Sequence, residues 1–132
     1  MSLIARLADA VLGPAVPSGE LPAPVPAGVR VRRCAWIPRI GGVLGKMGGP
    51  AAGVTLGRTI LVHPEARVDA AFLVHELTHV EQWAADPLFA VKYAAESLRN
   101  GYRGNRYEVE AYAREARFNE TRRTNTSPGE HP

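Results

Sequence analysis

The pentapeptide His75-Glu76-Leu77-Thr78-His79 constrains this chain more than any other segment. It fits H-E-x-x-H, a pattern whose chemistry requires a helix. Residues four apart on a helix lie one turn from each other on one face, so both imidazoles can grip a single metal ion. Glu76 leaves the adjacent side of the same turn, where its carboxylate can reach a water on the metal and take its proton. The segment therefore has to be helical, and it has to pack so that a further ligand meets it.

The flanking residues agree. Asp69 stands as an N-cap, and the helix is expected to run to about Ala85. Phe72, Leu73, Leu77, Val80 and Ala84 give it an apolar side, while His75 and His79 form a different row that Gln82 continues. Upstream, Val29 to Trp36 alternates as a strand, with Val29 and Val31 opposite Arg30 and Arg32. Val54-Thr55-Leu56 and Thr59 to Val62 read as two strands joined by a tight turn at Gly57-Arg58. Downstream, Asp86-Pro87 opens a second helix that Gly101 closes, and Asn105 caps a third running to about Arg122. Strands followed by helices make the fold class α+β, a short sheet or hairpin followed by the active-site helix and two further helices.

The remainder of the chain is less informative. Apolar residues at 3, 4, 7, 8, 11 and 12 form a helical stripe, read as a short docking helix. Five of the eleven prolines fall between residues 14 and 28, an extended connector. Residues 41–53 carry six glycines and read as a loop. The pair Gly45-Lys46 within it lacks phosphate-loop spacing. The expected organisation is an N-terminal helix and connector over 1–28, a compact domain over 29–123, and a disordered tail over 124–132.

Composition narrows the function. At 132 residues, 45% apolar and 22% charged, the chain is one ordinary globular domain. Its net charge of +3 comes from 14 arginines that scatter along the sequence, and the cluster Arg114, Arg117, Arg122 and Arg123 reads as a solvated helix face, so no nucleic-acid partner is expected. Cys34 is alone and cannot build a disulfide framework; it reads as a buried structural thiol. No stretch approaches a membrane span, and the N-terminus does not read as a signal peptide, so a cytoplasmic location is expected.

H-E-x-x-H supplies two ligands, and a catalytic zinc takes a third while keeping one position for water. The downstream candidates are Glu81, Glu96, Glu108, Glu110, Glu115 and Glu120; the remaining downstream histidine, His131, lies in the tail. Glu108 and Glu110 sit about 200° apart on a helix, so only one faces the metal. Glu110 has Arg106 and Arg114 at four residues on either side as ion-pair partners, whereas Glu108 has no helical counter-ion. Glu108 is therefore favoured over Glu110.

Two segments carry a resemblance to a known family. Phe72-Leu73-Val74-His75-Glu76-Leu77-Thr78-His79-Val80-Glu81-Gln82-Trp83, followed by Asn105-Arg106-Tyr107-Glu108-Val109-Glu110-Ala111-Tyr112, resembles a small gluzincin. It is most similar to the compact H-E-L-T-H domains found near bacterial contractile injection systems. The similarity spans about residues 52–118 and includes the strand pair around Val54 to Ile60. The resemblance implies a zincin-like fold and a zinc-dependent metallopeptidase, with Zn2+ held by His75, His79 and Glu108, Glu76 as general base, and a peptide or protein substrate. The chain departs from the family at Tyr112, where gluzincins often carry an Asp that orients a ligand histidine; Glu115 is a substitute for that role.

The expected function is a zinc hydrolase, most specifically a peptidase, with the segment Val54 to Val62 holding an extended peptide by edge pairing. The alternative is a non-catalytic zinc-binding interaction domain on the same scaffold, which suits the small size and the Tyr112 departure. Gln82 and Trp83 read as packing and rim residues, His63 as a loop histidine, and Tyr102, Tyr107 and Tyr112 as core or rim.

Overall fold

A computed structural model of the chain describes residues 2–36 and 53–126. The glycine-rich segment up to Ala52 and the tail beyond Thr126 lie outside the described residues. The fold is α+β. Helix α1 (Leu3–Leu12) is followed by strands β1 (Arg30–Arg33), β2 (Gly53–Leu56) and β3 (Thr59–Val62), then helices α2 (Ala70–Ala85), α3 (Phe89–Gly104) and α4 (Arg106–Thr126).

The sheet order is β1-β3-β2. β2 and β3 form the expected antiparallel hairpin, Val54 opposite Leu61 and Leu56 opposite Thr59, with Gly57 at φ +61° in the turn. β1 runs parallel to β3, Val31 opposite Ile60. The central β3 therefore has neighbours on both sides, and Ile60, Leu61 and Val62 are fully buried. Val31, Ile60, Val62, Leu73 and Val80 form the core between sheet and α2. The proline-rich connector lies against this core through Val16, Leu21, Ala23 and Val25, and Val16 N–H donates to the Val31 carbonyl across 2.8 Å. Cys34 is buried and free.

Helix α2 starts where its cap dictates. The Asp69 carboxylate accepts from the Phe72 N–H at 2.8 Å. At the other end Asp86 caps a turn rather than the next helix: its Oδ1 accepts from Leu88 N–H, and α3 begins at Phe89. Gly101, at φ +71°, breaks α3 as the sequence indicated, and one further turn follows. Asn105, fully buried, caps α4 by accepting from Tyr107 N–H, while its amide donates to the Tyr93 carbonyl and Ser97 Oγ. That one side chain fixes the angle between α3 and α4.

Several expectations need correction. Helix α4 continues to Thr126, so residues 124–126 are helical rather than part of a disordered tail. Ala84 is exposed, and His75, Glu76, Thr78, His79 and Gln82 are buried, so α2 buries its polar row beneath α4 as well as its apolar row against the sheet. Arg32, on the face of β1 opposite Val31, is buried as well, its guanidinium pairing with Asp9 and donating to the Gly13 carbonyl at 3.0 Å. Helix α1 does not dock through its apolar stripe. None of its residues is buried, and Leu3, Ile4, Leu7 and Val11 are all more than half exposed. Polar links hold it instead: Arg32 to Asp9, and the Trp36 indole to the Val11 carbonyl.

Candidate metal centre

Helix α2 packs along α4 more extensively than on any other element, and this contact assembles the site. His75 and His79 project from successive turns of α2, their ring centroids 5.0 Å apart. Glu108, in the first turn of α4, places its carboxylate between them. Oε2 lies 3.1 Å from His75 Nε2, and Oε1 lies 3.1 Å from His79 Nε2. All three residues are buried, and their ligand atoms lie within 4.8 Å of one another. Ligands about 2.1 Å from a tetrahedral zinc stand roughly 3.4 Å apart, so three donor atoms within 4.8 Å of one another could close around one ion.

Glu110 takes no part. It is exposed and pairs with Arg114 at 3.2 Å, and Arg114 also pairs with Glu81. Arg106, its other expected partner, lies 3.7 Å from Glu96 instead.

The electrostatics of the trio couple a buried carboxylate to two imidazoles. Burial raises the Glu108 pKa, but hydrogen bonds from His75, His79 and Tyr93 outweigh it and hold the carboxyl well below the usual carboxylate range. Burial lowers the pKa of both histidines, yet the Glu108 carboxylate beside them and the charge of Glu76 leave each raised. Protons on the imidazoles and a divalent metal are thus alternative ways of neutralising the same buried carboxylate.

Glu76 lies beside the trio, also buried. Thr55 Oγ1, on the edge strand β2, donates to its Oε2 at 2.6 Å. Burial raises the Glu76 pKa, opposed by the neighbouring His79, the Thr55 hydrogen bond and His75. A buried carboxylate whose pKa is raised in this way is suited to taking up a proton.

A surrounding layer orients these groups. Glu115 Oε2 lies 3.2 Å from His75 Nδ1, and Gln82 Oε1 lies 2.8 Å from His79 Nδ1. Gln82 is therefore a buried packing residue beside His79. Tyr112 packs its ring edge-on against His75, centroids 4.5 Å apart, and its hydroxyl pairs with that of Tyr102 at 3.1 Å. The carboxylate on His75 thus comes from Glu115, seven residues after Glu108 rather than four. Sequence reasoning missed Tyr93, whose hydroxyl donates to Glu108 Oε1 at 2.8 Å, and the Thr55 contact with Glu76. The Trp83 indole donates to the Thr55 carbonyl at 3.0 Å. His63 accepts from the Glu65 N–H, a local loop contact.

No protein-family model, curated protein or solved structure matches this chain. The arrangement of its own side chains therefore carries the functional argument.

Proposed function

We propose that this protein is a zinc-dependent hydrolase, most specifically a peptidase of the gluzincin type. The observation that carries the reading is the buried convergence of His75 Nε2, His79 Nε2 and the Glu108 carboxylate, with the Glu76 carboxylate beside them. His75, His79 and Glu108 would hold the metal, and the His2Glu donor set favours zinc over magnesium or calcium, which take oxygen ligands. Bound zinc supplies a Lewis acid that polarises a carbonyl and acidifies water. Glu76 accepts the proton of the attacking water and passes it to the leaving amine. Thr55 holds the Glu76 carboxylate in place through the hydrogen bond from its hydroxyl to Oε2. Tyr93 shares the charge of Glu108 and keeps its carboxylate facing the histidines.

The second reading, a non-catalytic zinc-binding domain that serves interaction, draws support from Trp83. Within Val54 to Val62, β3 is paired on both sides, so an added peptide strand would have to lie along β2. Its Thr55 carbonyl is already taken by the Trp83 indole. Edge pairing of substrate at that position requires the indole to move.

Zinc stoichiometry together with cleavage of a peptide library, for wild type and Glu76→Gln, separates the readings. The hydrolase reading expects one zinc per chain in both proteins and cleavage that falls by about 10²–10⁴-fold in the variant. Zinc in both with cleavage in neither favours the interaction domain. Absence of zinc binding in wild type overturns both.

A further inference from the structure

The amide of Gln82 bridges a main-chain carbonyl, which can only accept, and an imidazole nitrogen. Its Nε2 donates to the main-chain carbonyl of Tyr107 at 3.1 Å. A carbonyl can only accept, so this contact decides which way round the amide sits. The Oε1 atom is thereby committed to His79 Nδ1, 2.8 Å away. An amide oxygen can also only accept, so His79 Nδ1 has to carry a proton. The Nε2 atom, which donates to Glu108 Oε1 at 3.1 Å in the metal-free site, is then the ring nitrogen that gives up its proton to bind metal. Tyr107 immediately precedes Glu108, so the turn of α4 that delivers the third ligand also sets the tautomer of the second.

We propose that Gln82 is a positioning residue: oriented by the Tyr107 carbonyl, it keeps the His79 proton on Nδ1 and the Nε2 lone pair available to the metal. The proposal rests on the zinc reading above for its effect on affinity, but the tautomer itself is a property of the chain. Gln82 is 8% exposed and its contact with His79 is buried, while its contact with the Tyr107 carbonyl borders a surface cleft. His75 is held differently. Its Nδ1 meets the Glu115 carboxylate, whose side chain is 29% exposed. The two ligand histidines thus have unequal supports, one a locked neutral amide and the other a carboxylate open to water. Losing the locked amide leaves a buried N–H with no acceptor and an imidazole free to rotate, whereas water can stand in for Glu115.

The test is zinc affinity by chelator competition, with ¹⁵N spectra of the histidine rings, for wild type, Gln82→Met and Gln82→Glu. Gln82→Met keeps the length and removes both hydrogen bonds. Gln82→Glu keeps an acceptor for His79 but has no proton for the Tyr107 carbonyl. Expected is the order wild type, Glu, Met, with Met weakened about 10–100-fold. A protonated Nδ1 on His79 is expected in wild type and in Gln82→Glu, with slow exchange lost in Gln82→Met. Zinc affinity in Gln82→Met within twofold of wild type, or Gln82→Glu binding no tighter than Gln82→Met, overturns the proposal. If Gln82→Met does not fold, Gln82→Glu and the wild-type spectrum still decide, because an unprotonated His79 Nδ1 in either contradicts the relay. If wild type binds no zinc, the function above fails, and the spectrum of the metal-free protein at a pH where the His79 ring holds a single proton still reads which nitrogen carries it.

Discussion

The Thr55 hydroxyl donates to Glu76 Oε2 across 2.6 Å, joining the edge strand to the helix that carries both histidines. Both side chains are buried, so the contact replaces water around a carboxylate that burial disfavours. Thr55→Val preserves shape and removes the donor. We expect a loss of about 1–3 kcal/mol in stability, read by denaturant unfolding. Zinc affinity should change little. The hydrogen bond lowers the Glu76 pKa, so its removal should move the acid limb of any pH–rate profile upward.

The metal-free protein should lose stability as pH rises above neutrality. His75 and His79 have pKa values raised in the fold from 6.5, so the stability they contribute is fully present below 6.5 and is lost as pH rises through the raised values. Glu76, raised from 4.5, acts in the same sense from a lower starting pH. Glu108 opposes them, since its lowered pKa gives stability above 4.5 that disappears as pH falls through the folded value. Zinc displaces the imidazole protons, so its stabilising increment should grow with pH. Thermal unfolding in chelator and in zinc at a series of pH values reads both trends. A metal-free melting temperature that climbs from pH 6 to pH 9 contradicts this balance.

Two glycines should respond very differently to alanine. Gly57 sits at φ +61° with open space where a Cβ would go, so Gly57→Ala carries only the left-handed backbone cost, about 1 kcal/mol. Gly13, at φ +89°, would place a Cβ 1.8 Å from the Arg33 carbonyl oxygen. Gly13→Ala has to displace the junction of α1 with β1, at a cost of about 3 kcal/mol or more. Equal destabilisation of the two variants would argue against this junction.

Much of this architecture is legible in the residues themselves. Asp69 and Asn105 mark the starts of α2 and α4 because a short polar side chain before a helix has one strong use there. The choice between Glu108 and Glu110 follows from counter-ions, as Arg114 claims Glu110. The alternation of valine and arginine in β1 separates two faces but does not show that Arg32 is buried, since it pairs with Asp9, 23 residues away, which no local pattern encodes. Tyr93 and Thr55 are missed for the same reason: each reaches the site from a separate element, and neither belongs to a ligand motif. The α1 stripe predicts a helix correctly and its burial incorrectly, since amphipathicity reports an apolar face but not what covers it.

The central claim is that His75, His79 and Glu108 hold one metal ion. Its most direct test is metal content by mass spectrometry on protein purified without a metal-affinity tag, for wild type and Glu108→Ala, with Glu108→Gln as the variant that preserves shape. About one zinc per chain in wild type, lost or greatly weakened in both variants, is the predicted result. Wild type that stays free of zinc after zinc is added back, or zinc retained undiminished without the Glu108 carboxylate, would contradict it.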